Sequence, residues 1–75
     1  MEHKLKIEEN YLRNLVSGKK KAEIRFNDRD YQVGDILRFL RNSPGNPVYF
    51  NFKITHVHSG LGLAQGYVCL SVEEV

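Results

Sequence analysis

Apolar and polar positions follow two different periods along the chain. His3, Leu5 and Ile7 alternate with Lys4 and Lys6, which predicts a short strand over residues 3–7 with one face inward. Glu8 and Glu9 then open a segment in which Tyr11, Leu12, Leu15 and Val16 share one side at helical spacing, and Gly18 follows as a stop. The helix predicted over 8–17 starts acidic and is followed by lysines, as its backbone dipole favours. From Lys21 the period returns to two, with Ala22, Ile24 and Phe26 on one face and Lys21, Glu23 and Arg25 on the other. A second strand therefore shows its charges together. Asn27, Asp28, Asp30, Gly34 and Asp35 give the next stretch turn-forming density, with Gly34 placed for a positive φ, before a strand over 36–40. A loop is predicted over 42–47, and the longest strand over 48–57, with Phe50, Phe52 and Ile54 on one face. His56 and His58 continue that row, so either they line the mouth of the fold or a bulge near Thr55 turns them outward. The glycine-rich stretch 59–66 leads into a last strand over 67–72, where Val68, Leu70 and Val72 alternate with Tyr67, Cys69 and Ser71.

Five short strands and one early helix predict an α+β fold, because an open sheet this small would leave both edges and much of one face wet. The expected form is a small, partly closed β-barrel of about five strands, with the helix after the first strand covering one opening. At 75 residues the chain is one domain, 1–75, with a thin core. Its 41% hydrophobic and 27% charged content is that of an ordinary globular sequence. The opening MEHKLKIEEN has no continuous apolar stretch, and nowhere do about 18 apolar residues run together, so a soluble, cytoplasmic protein is expected. Cys69 is the single cysteine, which forbids an intrachain disulfide and a multi-cysteine zinc site, and it reads as inert. A zinc ion would have to use His3, His56 and His58, and the spacing supplies no proven third ligand. Neither a metal nor a cofactor is expected.

Charge separates the two halves of the chain. Arg13, Lys19, Lys20, Lys21 and Arg25 face only Glu23 in their segment, whereas residues 42–75 hold Lys53 against Glu73 and Glu74. Lysine and arginine at a helix terminus and a sheet edge form the footprint of a phosphate-binding surface. Glu23 and Arg25 lie about 6.6 Å apart on one strand face, with Lys20 leaving the helix nearby. A carboxylate among cations stays ionised. It orients Arg25, whose planar fork grips phosphate or stacks on a base.

Gly18 to Arg25 matches G-x-K-x-x-E-x-R, and so resembles the signature of the ASCH (activating signal cointegrator homology) domains, which share a PUA-like β-barrel. EIRFNDRDYQVGDIL and QGYVCLSVEE are also similar to a bacterial and phage family of small ASCH-like proteins. The resemblance spans nearly the whole chain. It implies RNA binding in a cleft between barrel and helix, lined by the signature residues Lys20, Glu23 and Arg25; Lys19, Lys21 and Arg29 are expected to extend the positive rim. The partner expected is thus RNA or a nucleotide, in a small pocket because the net charge is only +2.

Two other functions compete with it. One ASCH-type family hydrolyses the acetyl amide of N4-acetylcytidine with a lysine, a threonine nucleophile and a glutamate. Lys20 corresponds to that lysine, but Glu23 stands at the nucleophile's position, and 59–66 is too short for the insertion carrying the acid. Thr55 is the nearest alternative hydroxyl, and Lys20 with Glu23 forms a possible general-base pair. The other competitor is a protein-interaction module using exposed strand edges. Gly60, Gly62 and Gly66 are not a dinucleotide loop, since the third glycine falls one residue late and a strand follows. They read as a turn or a short flap. Tyr31, Tyr49 and Tyr67 offer rings for base stacking, although core packing suits each singly, and Tyr11 belongs with the apolar stripe of the helix.

Overall fold

The computed structural model describes residues 1–41, 45 and 47–75, so most of the loop expected over 42–47 lies outside the described residues. Strands β1 (Glu2–Lys6), β2 (Ala22–Phe26), β3 (Ile36–Arg41), β4 (Val48–Ser59) and β5 (Tyr67–Glu74) form one sheet in the order β1-β3-β4-β5-β2. The single helix among the described residues, α1 (Glu9–Val16), follows β1. β1 runs parallel to β3 and the other neighbours are antiparallel. The sheet curls into a half-barrel with β1 and β2 as its two edges.

The interior is built by alternation. His3 and Leu5, Leu37 and Phe39, Phe52 and Ile54, and Val68, Leu70 and Val72 all point inward. Leu12 and Leu15 of α1 close one opening of the curl. Each fully buried side chain of this size contributes roughly 1.5–3 kcal/mol. Gly18 ends the helix at φ +82, and the Lys20 N–H donates back to the Asn14 carbonyl at 3.0 Å. That turn delivers Lys20 to the start of β2. Tyr11 departs from the expected stripe: it is half exposed, and its ring lies 5.0 Å from the Lys20 ammonium.

At Thr55 the β4–β5 register shifts, so that Ile54 pairs with Val72 but His56 pairs with Ser71. The extra residue reverses the facing of the remainder of β4. Val57, opposite Leu70, packs on the core, and His56 and His58 turn outward, His58 Nε2 lying 3.0 Å from the Leu61 carbonyl. The connection after β4 closes as two hydrogen-bonded turns, Leu63 N–H to Gly60 C=O at 2.7 Å and Tyr67 N–H to Ala64 C=O at 3.1 Å. No described helix is long and apolar enough to cross a membrane.

Candidate functional site

β2 turns its charged face to the interior. Glu23 is 5% exposed, whereas Ile24 and Phe26, the apolar positions of the same strand, are 58% and 54% exposed. Pairing fixes this orientation, because Glu23 and Arg25 sit opposite the buried Leu70 and Val68, while Ile24 and Phe26 sit opposite Cys69 and Tyr67. The cluster is therefore not a solvated sheet face.

A buried carboxylate persists only when paired. Glu23 Oε1 accepts from Lys20 Nζ at 2.9 Å, and Oε2 accepts from Arg25 Nε at 3.3 Å. The same guanidinium donates through Nη2 to the Lys6 carbonyl at 2.7 Å and lies 5.6 Å from the Phe39 ring centroid. Arg25 thus spans the seam between the two edge strands.

Neither edge strand is paired with another strand along the seam. The Lys21 carbonyl accepts from Val72 N–H and Asn27 N–H donates to the Gly66 carbonyl, so the backbone groups of Ala22, Ile24 and Phe26 point away from β5. On β1 the Met1 carbonyl accepts from Ile36 N–H, which leaves the backbone groups of Lys4 and Lys6 facing the seam. Between these edges lies a cleft of about 700 Å³ lined by Lys4, Lys6, Tyr11, Glu23, Arg25, Arg29 and Tyr31, among others. Tyr31 is buried against the His3 ring at 4.9 Å; burial pushes its hydroxyl pKa up, against the pull of nearby Arg25.

The residues predicted for the site separate into three groups. Glu23, Arg25 and Arg29 line the cleft, and Lys20 reaches its edge through Glu23 and Tyr11. Lys20 and Lys21 border a second depression of about 460 Å³ beside the end of α1, which also contains Thr55. Lys19 is exposed and lines neither. Lys4 and Lys6 line the cleft although the sequence pattern did not mark them as site residues; their signal was the period-two placement of two lysines on a first strand, which becomes informative only once β1 is known to be an edge. His3 bonds Asp35 inside the fold while His56 and His58 lie outside, and no group of three metal-binding side chains occurs among the described residues.

Fold and seam together define a curled five-stranded sheet with a charged strut across its opening. The chain belongs to the family described as a domain of unknown function (DUF3850), whose model matches residues 2–72. In fold it is similar to the hypothetical protein PH0355, whose crystal structure superposes with a TM-score of 0.70 at 20% identity over 100% of both chains. No curated protein matches it.

Proposed function

We propose that the seam cleft binds a nucleotide or a short stretch of RNA. The observation that carries this reading is the Lys20–Glu23–Arg25 cluster: a buried carboxylate holding a guanidinium in the wall of an open cleft that Lys4, Lys6 and Arg29 also line. Arg25 spends its Nε on Glu23 and an Nη2 hydrogen on Lys6, so its remaining donors are pre-oriented toward an anion or a base edge. Tyr11, half exposed, supplies ring surface in the same cleft. The G-x-K-x-x-E-x-R signature and the resemblance to ASCH domains of PUA-like fold point the same way.

Titration of labelled single-stranded RNA against wild type, Arg29→Ala and Arg25→Lys tests the reading, with thermal unfolding of each variant as a control. Arg29→Ala is expected to weaken binding while leaving the fold intact. Arg25→Lys keeps the charge but loses the fork, and is expected to weaken binding more. Four phosphate contacts would give a salt slope near about −3, at roughly 0.7 per contact. Wild-type affinity in both folded variants would overturn the assignment.

A second reading, amide hydrolysis on a modified nucleoside, has one observation in its favour: Lys20 and Thr55 border the same depression. Against it, Lys20 Nζ is held by Glu23, and the Thr55 hydroxyl donates to the Ser71 carbonyl at 3.2 Å. Acetate release from acetylcytidine that is lost in both Lys20→Ala and Thr55→Val would establish it.

A further inference from the structure

We infer that a single-stranded RNA leaves the seam cleft across the outer face of β1, β3 and β4, so that the binding surface is a track extending beyond the pocket. This rests on the reading of the cleft as a nucleotide site and adds a direction and two residues to it.

The register creates the track. Lys4 pairs with Arg38 and Arg38 with Asn51, while Lys6 pairs with Leu40 and Leu40 with Tyr49. Two rows therefore cross three strands at about 4.8 Å per step. All of these side chains lie on the outer face, because their neighbours His3, Leu5, Leu37, Phe39 and Phe52 fill the interior. The Arg38 guanidinium stacks 4.3 Å from the Tyr49 ring centroid, which makes a flat cationic platform. A shallow depression of about 150 Å³ beside it is lined by Lys4, Leu5, Lys6, Leu40 and Tyr49. Lys4 and Lys6 line both this depression and the seam cleft, so the two surfaces are continuous.

Charge favours an anionic chain along that path. Glu2 is the acid on these rows' side of β1, and it is taken by Arg38 at 3.5 Å. Lys4 and Lys6 make no ion pair among the described residues, and Lys53 adds a cation further along β4, opposite Glu73. Lysines on β1 alone would be explained as protection of an edge strand against pairing. That explanation does not extend to Arg38, which is paired on both sides, with Lys4 on β1 and Asn51 on β4. An aromatic ring with cations around it is the arrangement that takes unpaired bases and their phosphates.

Fluorescence anisotropy with uridine monophosphate and an eight-nucleotide uridine oligomer tests the track, using wild type and Arg38→Gln/Tyr49→Ser at about 50 and 200 mM salt. Wild type is expected to bind the oligomer at least about tenfold more tightly than the mononucleotide, one good stack or more. The double variant is expected to lose that gain, to show a salt slope smaller by about 0.7, and to keep its mononucleotide affinity. Arg38→Gln alone repeats the comparison if the double variant unfolds. Equal affinity of wild type for both ligands, or an unchanged gain in the folded variant, overturns the track while leaving the cleft site standing. If wild type binds neither ligand, the cleft reading fails and the track falls with it.

Discussion

Glu23 shows how one side chain can serve both the fold and the site. Its carboxylate is buried between Lys20 and Arg25, and Arg25 in turn ties β2 to the Lys6 carbonyl of β1. Removing the negative charge leaves two cations facing each other with a single weak acceptor between them. Glu23→Gln is therefore expected to cost about 1–3 kcal/mol, as for a broken buried charged hydrogen bond, and both cations being partly exposed keeps the loss from being larger. Urea unfolding at neutral pH reads this directly. A stability within about 0.5 kcal/mol of wild type, the range of ordinary surface changes, would show that the cluster does not hold the seam. Gly66 is another position set by close approach. At φ +87 it lies so near Phe26 that a Cβ would stand 2.7 Å from the ring. A side chain there would have to displace Phe26 from its edge-on contact with Tyr67.

Elements carry a facing as well as a boundary, and β2 is where the two separate. Ile24→Ala tests its orientation. With Ile24 outside, the substitution is expected to cost at most about 0.5 kcal/mol, whereas an inward Ile24 would cost about 2–5 kcal/mol. The midpoint of urea unfolding distinguishes these cleanly. The strand itself was legible from the alternation of Ala22, Ile24 and Phe26 with Glu23 and Arg25, as were the other four strands and the helix, because their periods differ. Periodicity gives two faces but not which one is inside. Here the pairing with Val68 and Leu70 decides, and two cations compensate the buried acid. The bulge at Thr55 was one of two outcomes that the row of Phe50, Phe52, Ile54, His56 and His58 allowed, and it resolves the histidines to the outside. The site was legible in part. Gly18 to Arg25 lie close in sequence, so Glu23 and Arg25 could be grouped with Lys20. Lys4, Lys6, Arg38 and Tyr49 come together only through the parallel pairing of β1 with β3, which no local pattern encodes.

Across the whole molecule, a second polar junction ties down the start of β1. Asp35, just before β3, accepts from the His3 ring at 2.8 Å, from Gln32 N–H at 3.1 Å and from the Met1 ammonium at 3.2 Å. It joins the edge strand β1 to the turn that precedes β3, with Tyr31 packed on His3. The hydrogen bond from His3, aided by those from Gln32 and the ammonium, holds the Asp35 carboxyl below its ordinary pKa despite burial. A group whose pKa is depressed by folding binds protons more readily when unfolded, so its stabilisation is complete above the unfolded value of about 3.9. It is lost as pH falls through the lower folded value. Asp35→Asn is accordingly expected to destabilise the protein at pH 6 to 7, and the gap to wild type should narrow as the pH drops below about 4. Urea midpoints of the two proteins measured across that range supply the test. A gap that stays constant down to strongly acidic pH would mean that Asp35 contributes by shape and not by charge.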